Sequence, residues 1–401
     1  MSDVVVIGAG QAAASLVARL RSKGHEGKIT LIGEEPVPPY QRPPLSKAYL
    51  LGEMDLERLY LRPEAYYAEN GIDLKLSDSA IAINRDDKQV VAGGETMSYD
   101  HCVLCTGSVP RRLPAAIGGD LAGVHVVRTL NDVDAMAPAC TSGKRVLIVG
   151  GGYIGLEAAA VCAKLGLQVT LVEAADRILQ RVAAPETSAW FRELHKSHGV
   201  DLREGTGLNR LIGDSHVTGA ELADGTTLEV DMVIVGVGIT PATALAEGCG
   251  LEIDNGIAVN ARGQTSDPAI WAAGDCASFP QHAARMRLES VGNAIDMGEL
   301  VADNILGAER DYTATPWFWS DQYDVKLQIA GLNAGYDRIV VREDGAARSH
   351  WYYAGDRLLA VDAMNDSRAY MVGKRLIEAG KNPAPEVVAD PDTNLKALLK
   401  A

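Results

Sequence analysis

The sequence predicts an α/β protein in which one structural unit occurs twice, and three observations carry that prediction. Val4-Val-Val-Ile-Gly8-Ala-Gly10 is a continuous apolar run ending in a glycine turn, and Val146-Leu-Ile-Val-Gly150-Gly-Gly152 repeats it 142 residues later. A segment with helical patterning follows each turn, residues 11–23 in the first copy and 153–165 in the second. Each helix then leads to a second apolar strand that ends in an acid, residues 29–33 running into Glu34 and residues 169–172 into Glu173.

Continuous apolar strands are expected of a parallel sheet covered on both faces. The glycines have separate tasks. Gly8 and Gly150 permit the tight turn, and Gly10 and Gly152 let the backbone approach a pyrophosphate. Ala13 and Gly155 hold the third position, which serves helix–strand packing and admits alanine. Ile154 lies in the same second turn. The helix start offers free N–H groups and the positive end of its dipole to phosphates. From Gly10 to Glu34 is 24 residues and from Gly152 to Glu173 is 21, close to the spacing of about 20 expected for a carboxylate that binds ribose hydroxyls. Both copies therefore read as Rossmann-like dinucleotide-binding units. Glu173 favours a 2′-hydroxyl over a 2′-phosphate, hence NADH over NADPH. Arg177, four residues on, is read as a surface ion-pair residue.

The N-terminal copy is expected to hold FAD. Two later strand ends fit this, one closing in Cys105-Thr106-Gly107 and one in Ala273-Gly274-Asp275. A carboxylate at a strand end can reach a polyhydroxyl chain such as ribityl; a plain Gly-Asp turn is the competing reading.

The chain has 401 residues, a net charge of −15, 47% hydrophobic and 23% charged residues. That length predicts two or three domains, and the acidity argues against nucleic acid or an anionic membrane as partner. No signal peptide and no apolar run of about 20 residues is seen, so a cytoplasmic setting is expected. The six cysteines are scattered, with neither iron–sulfur nor zinc spacing, and no metal site is expected. Residues 34–51 contain no cysteine, which removes a redox thiol pair after the first ribose acid. Cys102-Val-Leu-Cys105 falls in a strand, where residues three apart face opposite ways. His195 and His198, near a helix end, are expected at the surface.

The chain resembles the FAD-dependent ferredoxin reductases of bacterial oxygenase systems, the putidaredoxin-reductase type. The motifs that carry this are Pro39-Tyr-Gln-Arg-Pro-Pro-Leu-Ser-Lys47, Gly150-Gly-Gly-Tyr-Ile-Gly-Leu-Glu157, Trp271-Ala-Ala-Gly-Asp275, Arg287-Leu-Glu-Ser-Val-Gly-Asn-Ala294 and Trp317-Phe-Trp-Ser-Asp-Gln322. The resemblance implies a glutathione-reductase-like fold. It places a discontinuous FAD domain at 1–112 and 245–320, an NADH domain at 113–244 and a C-terminal α/β domain at 321–401. It puts Arg42 near the FAD phosphates, Lys47 near flavin N5 and Glu157 paired with Lys47. It also places Trp319 by the isoalloxazine, plain core being the competing reading for Trp317, Phe318 and Trp319. Independently of the resemblance, Glu289-Ser-Val291 precedes a helical run over 293–306, and a helix N-terminus aimed at the flavin N1–C2=O edge would stabilise the negative charge of reduced flavin. The resemblance implies a [2Fe–2S] ferredoxin as electron acceptor, feeding a cytochrome P450 or a Rieske oxygenase. Arg310, Lys326, Arg338, Lys374 and Arg375 are candidate docking cations. An NADH oxidase or monodehydroascorbate-type reductase, and a flavin-bound signalling protein resembling apoptosis-inducing factor, are the competing readings.

Overall fold

A computed structural model describes residues 2–281 and 284–400. The chain divides into two compact units. The first comprises residues 1–42, 55–109 and 239–316, and the second residues 43–54, 110–238 and 317–401.

The first unit is built on a five-stranded parallel sheet in the order Ile270–Ala272, His101–Leu104, Val4–Ile7, Ile29–Ile32, Ile72–Lys75. Val4–Ile7 is central and buried along its whole length, as its uninterrupted apolar run requires. The helix Gln11–Ser22 follows the turn and buries Ala12, Ala13, Leu16, Val17 and Leu20. The helix Val291–Ile305 packs against it so closely that a Cβ on Gly298 would lie 2.4 Å from the Ala12 carbonyl oxygen. Ser290 caps that second helix by accepting the Asn293 N–H at 3.2 Å, which satisfies one of the free donors of its first turn. The helix begins two residues earlier than its sequence pattern suggests, because this cap precedes the amphipathic run.

The second unit repeats the arrangement with strands ordered Asp201–Arg203, Gln168–Val172, Arg145–Val149, Met232–Val235, Val124–His125, all parallel. The helix Tyr153–Lys164 follows the second glycine turn. Arg111 N–H donates to the Gly238 carbonyl at 2.9 Å, joining the two ends of the segment 111–238. Residues 317–364 of the same unit form an antiparallel five-stranded sheet, Trp317–Gln322, Val325–Gly331, Arg357–Met364, Ala347–Ala354, Arg338–Asp344. The helix Ser367–Glu378 packs on it through Ala369, Val372 and Leu376.

Arg342, only 6% exposed, fastens the C-terminal segment. Its guanidinium donates to the carbonyls of Val388, Asp390, Pro391 and Thr393. Arg342→Ala leaves four acceptors without a charged donor. It should cost about 2 kcal/mol, on the scale of a hydrogen bond to a charged group. A lower Tm, with faster proteolytic clipping near residue 390, would show it. An unchanged Tm would mean that the tail is held by its apolar contacts at Val388 and Leu395.

Candidate functional site: two glycine turns and a buried carboxylate

Each turn is shaped as its glycines require. Gly8 has φ +102° and Gly150 φ +107°, backbone that side chains rarely adopt. A Cβ on Gly8 would lie 2.3 Å from the Cys105 carbonyl oxygen, and one on Gly150 would lie 2.4 Å from that of Gly236. A Cβ on Gly10 or Gly152 would meet nothing within 4 Å. These second glycines thus face open space beside a helix start, and neither helix has a side-chain cap on its first N–H groups. An open cradle with free N–H donors at a positive helix end fits a pyrophosphate. Both turns therefore fit a dinucleotide, FAD and NADH being the two expected.

In the first unit, Ala13 is fully buried in its helix. Thr106 Oγ1 donates to the Ala242 carbonyl at 2.7 Å, and the Gly107 carbonyl accepts the Ala242 N–H at 3.0 Å. Gly274 takes φ +83°, and Asp275 accepts from Ser108 Oγ at 3.0 Å. Val291 is the first residue of its helix. Glu34 is exposed just beyond its strand. Its neighbour Glu35, which the sequence did not single out, takes a salt bridge from Arg42 and a hydrogen bond from the Tyr40 hydroxyl, each at 2.7 Å. Arg42 also lies over the Tyr40 ring. Cys102 ends up inside its strand and Cys105 one residue past the end; both are buried, and burial pushes both thiols up.

In the second unit, the Glu173 carboxylate accepts the Gly151 N–H at 2.7 Å and the Ala175 N–H at 2.8 Å. It is thereby fixed against the turn. Gly155 is buried, and Ile154 is 43% exposed on the same first helical turn. Among the described residues, Arg177 has no carboxylate partner, unlike the ion-pair residue expected. Its guanidinium donates to Ser188 Oγ and to the Gln180 carbonyl, because the loop after Glu173 folds back on the helix Pro185–Ser197.

Lys47 and Glu157 also belong to the second unit. Lys47 Nζ lies 3.0 Å from Glu157 Oε1 and 4.0 Å from Asp321. Glu157, 3% exposed, further accepts from Ser46 Oγ at Oε2 and from Ser320 Oγ at Oε1, each at 2.7 Å. Burial raises its pKa, while Lys47 and the two hydroxyls act in the opposite direction. Ser46 and Ser320 were not legible as partners from sequence, since they come from segments 111 and 163 residues away. Trp319 stacks on Trp317 at 5.5 Å, and Lys374 Nζ lies 5.5 Å from the Trp317 ring centre.

His195 corrects its expected surface position. It is fully buried, whereas His198 is exposed as expected. The helix Pro185–Ser197 turns His195 toward the strand Trp317–Gln322, where it meets Gln322 at 2.8 Å. A further buried network in this unit joins Thr187, His350, Tyr352 and Asp362. Burial lifts the Asp362 carboxyl to about 6 and lowers His350 to about 3. Three docking candidates are already paired: Arg310 with Asp303 at 2.9 Å, Arg338 with Glu386 at 2.7 Å and Lys374 with Glu378 at 3.8 Å. Lys326 and Arg375 are exposed. Among the described residues, no helix is long and apolar enough to cross a membrane.

Residues 2–298 match the model of the pyridine nucleotide-disulphide oxidoreductase family, and residues 317–399 match that of the reductase C-terminal domain. A ferredoxin–NAD(P)(+) reductase of Sphingomonas sp. is 45% identical over 405 residues, covering 99% of this chain and 97% of the relative. Putidaredoxin reductase of Pseudomonas putida is 42% identical over 410 residues, covering 100% and 97%. Among solved structures, the covalent putidaredoxin reductase–putidaredoxin complex superposes with a TM-score of 0.96 at 40% identity, covering 100% of this chain and 98% of that one.

Proposed function

Because the chain belongs to the pyridine nucleotide-disulphide oxidoreductase family, we propose that it is a ferredoxin reductase carrying electrons from NADH through FAD to a [2Fe–2S] ferredoxin. That ferredoxin in turn supplies a cytochrome P450 or a Rieske oxygenase, in the cytoplasm. The observation that carries this reading is the pair of open glycine turns in one chain whose residues 34–51 hold no cysteine. Two dinucleotides are accommodated, and the thiol relay that would take electrons to a disulfide substrate is missing from its usual segment.

When bound, FAD supplies the two-electron acceptor for hydride and the capacity to release electrons singly. The protein's share is binding and electrostatics. Gly8, Gly10 and the helix start at Gln11 hold the flavin nucleotide's pyrophosphate, with Ala13 packing the turn. Glu34 takes its ribose, and Asp275, with Thr106, Gly107 and Gly274 shaping its surroundings, takes the ribityl chain. The helix start at Val291 offers its positive end to a developing negative charge. Gly150, Gly152, Ile154, Gly155 and Glu173 hold NADH. Glu157 keeps the Lys47 ammonium in one place on the nicotinamide side of the second turn. The flavin contacts that the resemblance gives to Arg42, Lys47 and Trp319 form part of the same proposal.

Anaerobic stopped flow tests the reading. The NADH-reduced holoprotein, mixed with a [2Fe–2S] ferredoxin, should be reoxidised at least about tenfold faster than by O₂ or a small quinone. The rate should fall with salt if exposed cations such as Lys326 and Arg375 steer the encounter. Fast reoxidation by O₂ alone would overturn it in favour of an oxidase.

A further inference from the structure

The motif Trp317-Phe-Trp-Ser-Asp-Gln322 holds more than its tryptophans. Ser320 Oγ lies 2.7 Å from Glu157 Oε1, Gln322 Nε2 lies 3.1 Å from Ser320 Oγ, His195 Nε2 lies 2.8 Å from Gln322 Oε1, and the Tyr323 hydroxyl lies 3.2 Å from His195 Nδ1. We infer that Ser320, Gln322 and His195 are positioning residues that keep Glu157 a carboxylate, through a single line of hydrogen bonds all donating toward it.

The direction follows from proton counting. A carboxylate only accepts, so the one hydroxyl proton of Ser320 points at Glu157. Ser320 must then accept from Gln322, which turns the amide NH₂ toward Ser320 and its oxygen toward His195. His195 must therefore carry its proton on Nε2, which leaves Nδ1 to accept from Tyr323. A protonated His195 would carry a hydrogen on Nδ1 as well and reverse the last bond, so that the Tyr323 hydroxyl accepts. Burial keeps it neutral, lowering its pKa to about 4. Each bond polarises the next, and the sum ends on the buried oxygen.

Around Glu157, Lys47 comes from the turn Pro43–Ser46 and its end, Asp321 from the same strand as Ser320, and Tyr153 from Glu157's own helix. The three strands of the parallel sheet packed on that helix carry one charged residue, Arg145, which is bound to Asp231 and Glu229. Lys47, Ser46 and Ser320 are thus the groups that favour the charged form, while burial opposes it.

This inference rests on the role proposed for Lys47 and Glu157, and the test separates the two. In the FAD-loaded protein, the rate of flavin reduction by NADH is followed against pH without ferredoxin. Glu157 is charged above its pKa. Loss of a donor to the charged form raises that pKa, so the acid limb must move to higher pH. Ser320→Ala should move it up by about one pH unit, on the scale of a hydrogen bond to a charge. Ser320→Thr should restore it, and Gln322→Met should give a smaller shift in the same sense. Flavin absorbance reports that each variant is folded and loaded.

An independent readout is ¹⁵N-histidine NMR of the wild type. His195 should be the neutral Nε2–H tautomer from about pH 5.5 to 8. An Nδ1–H tautomer, titration near the ordinary histidine value, or an unmoved limb in Ser320→Ala would overturn the inference. If Lys47→Met and Glu157→Gln leave flavin reduction by NADH unchanged, the role of the pair itself fails, and the tautomer still decides whether the line exists.

Discussion

Gly155→Ala is expected to raise the KM for NADH by about tenfold to a hundredfold while the flavin stays bound. The added Cβ would stand 2.0 Å from the Gly150 carbonyl oxygen, and the obstacle is backbone, which cannot rotate away. The helix Tyr153–Lys164 must back off from its turn, carrying with it the N–H groups that face the pyrophosphate. Overpacking of this kind costs about 1–3 kcal/mol, and about 1.4 kcal/mol is a factor of ten in binding. The first turn supplies the control, because Ala13 already occupies the corresponding place, fully buried. Ala13→Gly should cost at most about 1 kcal/mol through helix propensity and leave the KM for NADH alone. Flavin absorbance, Tm and the NADH dependence of flavin reduction distinguish the outcomes. An unchanged KM in Gly155→Ala would show that the second turn does not hold the nicotinamide nucleotide.

The contrast between Ala13 and Gly155 marks how far the sequence could be read. Glycine spacing, apolar strand runs and terminal acids are local signals, and they located both parallel sheets and both turns. Element ends were less legible, since the sequence pattern extends the strand before Gly107 well past Leu104, where the sheet pairing stops. Long-range partners were not legible at all. Ser46 and Ser320 reach Glu157 only after folding, and nothing in a serine's neighbours announces a buried carboxylate. His195 looked like a surface residue because it sits in a polar stretch near a helix end. Its burial depends on a strand more than 120 residues away. Arg42 and Arg177 show the same limit, since the number of cations is plain in the sequence but their partners, Glu35 and Ser188, are chosen by loop conformation.

Replacing Glu173 should change which nucleotide the protein uses. Its carboxylate occupies two N–H donors, those of Gly151 and Ala175, and, in the role proposed for it, presents negative charge toward a 2′-phosphate. Glu173→Ala removes the acceptor for a ribose hydroxyl, frees both N–H groups and removes the repulsion. A hydrogen bond to a charged group is worth about 1.5–3 kcal/mol, so kcat/KM for NADH should fall by about tenfold to a hundredfold. Two like charges about 4 Å apart near a protein surface repel by several kcal/mol. Relief of even part of that should move the NADH-to-NADPH preference by about a hundredfold overall, with the NADPH rate becoming the more salt-sensitive of the two. Glu173→Gln separates the causes, since it keeps an acceptor oxygen but loses the charge: it should gain most of the NADPH tolerance while losing less of the NADH rate. Gly151 is buried, so Glu173→Ala also leaves a buried N–H without its partner, and a modest fall in Tm should accompany the change. Steady-state kinetics with both nucleotides decide the matter. A preference ratio that stays fixed in both variants would mean that ribose recognition lies elsewhere than at the end of the strand Gln168–Val172.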